Sequence, residues 1–252
     1  MNEINLQEIA ATDSIKDLIF YAKNPNKKVK AAVAINPNLP NVLMSKMAKN
    51  SQSYIRIALA KNPNLSLKIL HKLSKDSNKT VREETIKHPK MDNKSCLKLY
   101  KNEKNVHIKN LIVEKITNPE ILTELYNITT HQKLLRSIAR NPNTNKEILN
   151  KLLSNNNHYI VNDAINNPNT TSSMIEEAYS TFKLKSIRAA TYTNKLSNSL
   201  IEIIALTETD YTVQTNIAKK NHLHESTVRY LYLSGDDSIR SILEANYAFL
   251  RL

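Results

Sequence analysis

Val29-Lys-Ala-Ala-Val-Ala-Ile-Asn-Pro-Asn-Leu-Pro40 is answered further along the chain by Ile55-Arg-Ile-Ala-Leu-Ala-Lys-Asn-Pro-Asn-Leu65. In each, apolar residues at spacing i, i+3 and i+4 occupy one face of an α-helix. Each then runs into Asn-Pro-Asn, where proline withholds an N–H and disfavours helical geometry in the residue before it. The reading is a short amphipathic helix that must stop at the asparagine. Working outward, the leading apolar residue recurs as Val81, Val106, Leu135, Val161, Ile187, Val213 and Ile239, the last five evenly spaced. The stop recurs as His88-Pro89, Asn141-Pro142-Asn143 and Asn167-Pro168-Asn169.

Between these segments runs a second apolar stripe. It begins at Leu18/Ile19, Leu43/Met44, Ile69/Leu70, Cys96/Leu97, Ile121/Leu122, Ile148/Leu149, Met174/Ile175, Leu200/Ile201 and, degraded, Thr227/Val228. A further, mostly apolar residue follows three positions after each pair, so each stripe is a second helix. Two short one-faced helices cannot bury their faces alone, but stacked copies can. The expected fold class is all-α: an α-solenoid, a right-handed superhelix of about nine two-helix repeats of about 26 residues. It is expected to form a single domain over residues 1–252. Residues 1–23 form the N-terminal cap, 24–101 strongly basic regular repeats, 102–133 an irregular repeat, 134–190 regular repeats, and 191–252 divergent repeats with a C-terminal cap. A bend or changed stacking angle is expected within 102–133.

These segments resemble the leucine-rich repeat variant, a bacterial relative of HEAT-type helical repeats. The resemblance covers nearly the whole chain and is strongest in residues 24–90 and 134–170. It implies a superhelical stack in which one helix of each pair is short or 3₁₀-like. Some members of that family carry a cysteine-rich iron–sulfur segment, and no residues here match it. The family is an architecture and implies no reaction.

Composition narrows the function classes. The chain has one glycine, Gly235, whereas phosphate-cradling loops and dinucleotide fingerprints need several. Its 33 asparagines are expected to serve the caps and turns that visit left-handed geometry. The lone Cys96 sits in an apolar stripe and reads as core, permitting neither an intrachain disulfide nor a cysteine metal cluster. No uninterrupted apolar stretch approaches the length a membrane-crossing helix needs, and Met1–Ala10 lacks the basic-then-apolar layout of an export signal. The expectation is a soluble cytoplasmic protein with no membrane partner.

Charge is the more informative feature. Lys+Arg number 36 against 23 Asp+Glu, yet from Ile19 to Lys75 there is no acid at all beside ten lysines and one arginine. Ordinary solvated helices mix signs. Lys23, Lys49, Lys75 and Lys101 recur at the period of the repeat, each followed by Asn or Asp, and are expected to form a row. Lys68, Lys72 and Lys75, at i, i+4 and i+7 opposite Leu67, Leu70 and Leu73, read as a separate exposed stripe. Lys27, Lys28, Lys46 and Lys61 assist. A nucleic-acid phosphate backbone is the expected partner, bound with little sequence preference. The alternative is a scaffold that takes an acidic or helical protein in its groove. Tyr54, Tyr159 and Tyr211 stack on bases in the first reading and pack between units in the bland one.

A second basic series follows the leading residue of the first-described helix: Lys30, Arg56, Arg82, His107, Arg136, Asn162, Arg188, Gln214 and Arg240. Five of the eight arginines fall here although lysine dominates elsewhere, so the position favours a planar fork. Either these guanidiniums line the inner surface and grip phosphates, or they form a structural ladder to the neighbouring unit. Asn162 and Gln214 suit the ladder. No constellation points to catalysis. The seven histidines are scattered, His222 and His224 being the one close pair, and Glu83/Glu84, Glu176/Glu177 and Asp236/Asp237 point to different sides of a helix. No metal, cofactor or small-molecule substrate is expected.

Overall fold

The computed structural model describes residues 5–182, 190–193 and 195–251, and every regular element among them is helical. It comprises two compact units, Met1–Ile121 and Leu122–Leu252, whose boundary falls inside the segment where the repeat loses its spacing.

The first unit contains α1 (Leu6–Ala11), α2 (Ile15–Tyr21), α3 (Lys27–Ile35), α4 (Asn41–Met47), α5 (Ser53–Ala60), α6 (Leu67–Leu73), α7 (Lys79–Lys87), α8 (Asn93–Asn102) and α9 (Val106–Lys115). Helix α10 (Pro119–Ile128) crosses the boundary. Helices this short are not stable alone in water, so packing must supply their stability. The odd-numbered helices form one row in which α1, α3, α5, α7 and α9 each pack on the next. Helices α2, α4, α6 and α8 each dock on the following odd-numbered helix. Contacts along the odd row are far more extensive than those between successive even-numbered helices. Val29, Val33, Ile55, Leu59, Val81 and Ile86 seal the core between the rows.

The second unit contains α11 (Gln132–Arg140), α12 (Lys146–Leu153), α13 (His158–Ile165), α14 (Ser172–Phe182), α15 (Asn198–Thr207), α16 (Tyr211–Ala218), α17 (Glu225–Ser234), α18 (Asp237–Asn246) and a closing 3₁₀ turn, Ala248–Arg251. Its packing is of the same kind, with α11 on α13, α12 on α14, α15 on α17 and α16 on α18. Cys96 is buried in the first unit, and burial pushes its thiol up to about 11, as a core residue's should be.

The asparagines act through their side chains. Asn26, Asn78, Asn105 and Asn157 cap the helices that follow them by accepting N–H bonds. The first asparagine of each Asn-Pro-Asn stop does more. Asn36 Nδ2 donates to the Ile9 and Thr12 carbonyls at 2.8 and 2.9 Å, and Asn62 Nδ2 to those of Ala34 and Asn36 at 2.9 and 2.6 Å. Asn167 Nδ2 repeats this in the second unit, on Ala139 and Asn141 at 2.6 and 2.8 Å. Each amide thus satisfies carbonyls exposed by the end of the preceding helix of its row. Its Oδ1 meanwhile accepts the N–H two residues on, from Asn38, Asn64 or Asn169. Asn36 and Asn62 are completely buried. The expectation of left-handed geometry is not met at these stops, because the C-caps Asn36 and Asn141 have φ of −60° and −68°. His88 replaces asparagine in one rung without breaking it. Its Nε2–H donates to the Asn62 carbonyl at 2.9 Å and its Nδ1 accepts the Lys90 N–H at 3.1 Å.

Candidate functional site

Six of the ten lysines between residues 19 and 75, Lys23, Lys46, Lys49, Lys68, Lys72 and Lys75, lie on or just past α2, α4 and α6. Lys23, Lys49 and Lys75 each stand just past the C-terminus of one of these helices, and Lys101 lies in the last turn of α8; all four are exposed or nearly so. Lysine here complements the partial negative charge of a helix C-terminus, so the position is locally favourable before any partner is considered.

Two clefts collect most of these side chains. One, between α2 and α4, has a volume of about 370 Å³ and is lined by Lys23, Lys30 and Lys46 together with Asn50 and the apolar Ile19, Ala22, Leu43 and Met47. The other, between α4 and α6, has a volume of about 720 Å³ and gathers Lys49, Lys68, Lys72 and Lys75 around Ala48, Ile69 and Asp76. Six lining positions of the first recur in the second one sequence repeat later: Ile19/Ser45, Ala22/Ala48, Lys23/Lys49, Leu43/Ile69, Lys46/Lys72 and Asn50/Asp76. The clefts are therefore successive copies of one inter-helix surface. The lysines at 68, 72 and 75 are exposed and share a cleft with Lys49. Leu67 is no core partner to them; it is 60% exposed at the start of α6.

The remaining lysines line neither cleft. Lys27 and Lys28 are exposed in the first turn of α3. Lys61 caps the end of α5, with its Nζ 3.8 Å from Glu84 Oε2.

The arginine series behaves differently. Arg56 Nε and Nη2 bind Asp76 side-on at 2.7 and 2.8 Å, while its Nη1 donates to the Asn50 and Ser51 carbonyls at 2.6 and 3.1 Å. Arg82 repeats the pattern on Glu103, at 2.9 and 3.3 Å, and on the Asp76 and Ser77 carbonyls. Arg136 Nε donates to Asp163 at 2.6 Å, and its guanidinium lies 5.2 Å from the Tyr159 ring. Gln214 keeps only the carbonyl bond, to Glu208 at 3.2 Å, and Arg240 bonds the Tyr232 carbonyl and Asp237. Arg188 lies outside the described residues.

Burial works against the charge of Asp76, but the Arg56 hydrogen bond, the Asn78 N–H and the charges of Arg56 and Arg82 outweigh it, holding the carboxyl below its usual range. Glu103 is held low in the same way, burial being overcome by Arg82 and by the Asn105 and Lys104 N–H groups. The guanidiniums of Arg56, Arg82 and Arg136 are thus already committed to carboxylates of the chain.

No family model matches this chain, and neither a curated protein nor a solved structure matches it.

Among the described residues no group of three or more His, Cys, Asp or Glu is arranged to hold a metal ion, and no helix is long and apolar enough to cross a membrane. His224 is the N-cap of α17, where its Nδ1 meets Ser226, so half of the His222/His224 pair has a structural role. Tyr54, Tyr159 and Tyr211 are 49%, 53% and 52% exposed, each near the start of an odd-row or equivalent helix. Sequence reasoning missed the acids that occupy the arginine forks. The signal was nevertheless there: an acid follows Arg56 by 20 residues and Arg82 by 21.

Proposed function

We propose that this protein binds nucleic acid through the phosphate backbone and catalyses no reaction, with the acid-free stretch 19–75 as its contact surface. The observation that carries this reading is the recurrence of one lysine-lined cleft at the interval of the sequence repeat, with Lys23 and Lys46 in the first copy and Lys49 and Lys72 in the second. Cations held at fixed intervals along a surface displace the counterions of a phosphate chain, and that gain is indifferent to base sequence. The two-row packing supports the finer architectural reading as well. We take the chain to be a right-handed α-solenoid of about nine repeats, of the leucine-rich repeat variant or HEAT-like kind, working in the cytoplasm. Lys101 then continues the row, and Lys27, Lys28 and Lys61 add to the field beside it. Arg56, Arg82 and Arg136 serve the stack, since their donors already hold carboxylates.

A specific observation favours a second reading, a protein partner with an acidic amphipathic helix. Phe20, Val42 and Leu67, beside the lysines, are 69%, 80% and 60% exposed. Such a partner would bury those side chains and, held in part by apolar contact, lose less affinity than a polyanion as salt rises. The test is a fluorescence-polarisation titration with random single- and double-stranded DNA and RNA, comparing wild type with the triple variant Lys23→Glu/Lys49→Glu/Lys75→Glu. The expected result is binding by the wild type that the triple variant loses. Equal binding by both proteins would overturn the assignment.

A further inference from the structure

One difference between the two lysine clefts points to a particular seat. At the α4–α6 cleft, Asp76 takes the side-on pair of bonds from Arg56 and so supplies an anion from within the chain. One step further along, Glu103 does the same for Arg82. At the α2–α4 cleft the equivalent of Arg56 is Lys30, and the residue in the place of Asp76 is Asn50. The turn itself is unchanged: Asn50 Oδ1 accepts the Gln52 N–H at 2.9 Å, as Asp76 Oδ1 accepts that of Asn78 at 2.9 Å. Only the charge is missing.

The consequence is a cleft lined by three lysines and no acid. Lys23, Lys30 and Lys46 carry ammonium groups, and Asn50, its oxygen engaged in the turn, has its NH₂ left to offer. Lys30 is only half-exposed; its backbone N–H donates to the Asn26 carbonyl, while its ammonium forms no hydrogen bond or ion pair among the described residues. No acid lies between residues 19 and 75 to neutralise the group. A volume of 370 Å³ corresponds to about a dozen waters of liquid, enough for a phosphate group with part of its shell. The apolar floor of Ile19, Ala22, Leu43 and Met47 lowers the local dielectric and strengthens the field.

We infer that the α2–α4 cleft is an open phosphate seat, and that Asp76 fills the corresponding place beside Arg56 at the next step of the stack. This rests on the nucleic-acid reading for the source of the phosphate, a phosphodiester of a bound strand; free phosphates share the chemistry and form the second arm of the test. The deciding variant is Asn50→Asp, which gives the first cleft the carboxylate that position 76 already carries in the same turn. Lys30→Gln removes a cation instead and serves where Asn50→Asp fails to fold.

Binding of a random single-stranded oligonucleotide and of inorganic pyrophosphate is measured for wild type, both single variants and the Lys23→Glu/Lys49→Glu/Lys75→Glu protein. The expected result is about a tenfold loss in each single variant for both ligands, with the salt slope for the oligonucleotide smaller by about one. If the single variants bind the oligonucleotide with wild-type affinity and slope while the triple variant does not, the nucleic-acid reading survives and the seat is wrong. If wild type binds pyrophosphate but no oligonucleotide, and Asn50→Asp abolishes that binding, the seat stands and the nucleic-acid reading falls. Pyrophosphate binding equal in wild type and Asn50→Asp would overturn the seat.

Discussion

His88 shows how much a single side chain can reveal about the stack. Burial pushes its pKa below the ordinary imidazole value, and the charges of Lys90 and Lys115 add to the effect, against the opposing bond to the Asn62 carbonyl. A neutral ring is also what the geometry requires, since Nδ1 must accept the Lys90 N–H. The sign follows directly. The unfolded chain takes up a proton near pH 6.5 and the folded chain only at lower pH, so stability is lost as pH falls below about 6.5. Thermal unfolding should therefore show a Tm for wild type that drops between pH 7.5 and 5.5, and a smaller drop for His88→Asn, which restores the asparagine rung. Identical pH profiles would refute the assignment. Arg56 makes four hydrogen bonds through a planar fork, which lysine cannot reproduce. Arg56→Lys should cost about 1–3 kcal/mol in denaturant unfolding while leaving oligonucleotide binding within about twofold. The opposite ranking would assign Arg56 to the phosphates. The sequence displayed the fork preference at this position but not its partner, because Asp76 becomes a neighbour only once α5 and α6 stack.

At the scale of elements, the helices were legible because their apolar period and their stops are local. Asn-Pro-Asn reads as a stop in any chain, and the caps follow from the residues beside it. What the asparagine amide bonds to was not legible, since those carbonyls lie 24 to 28 residues back. The apolar pairs were over-read in the same way. Leu18 is fully buried but Ile19 is 43% exposed and lines a cleft, because only packing decides which member of a pair faces inward. Gly235 is a further case. It joins α17 to α18 with ordinary φ of −77°, so no left-handed turn explains it. A methyl group there would lie 2.5 Å from the Leu231 carbonyl oxygen and 2.7 Å from the Ile239 side chain, so the two helices meet too closely for a Cβ. Gly235→Ala should therefore destabilise the second unit by about 1–3 kcal/mol, visible as a lowered Tm. An unchanged Tm would show that the connection relaxes freely.

Over the whole molecule, the net charge of +13 is unevenly spread. Residues 1–126 hold 22 basic and 12 acidic side chains, and the remainder 14 and 11. The imbalance was plain in the sequence, as was the periodic lysine series. That Lys49 shares a cleft with Lys68, Lys72 and Lys75, and that Asn50 leaves the preceding cleft without an acid, became visible only in the fold. Function therefore turns on whether these cations act together on a polyanion, and salt dependence reads that directly. Affinity for a random oligonucleotide should be measured from about 50 to 200 mM salt, where contact with six or more phosphates predicts a loss of about a thousandfold or more and a straight line of log affinity against log salt. Affinity that stays flat across that range, or no binding at the lowest salt, would contradict phosphate recognition by the lysine clefts.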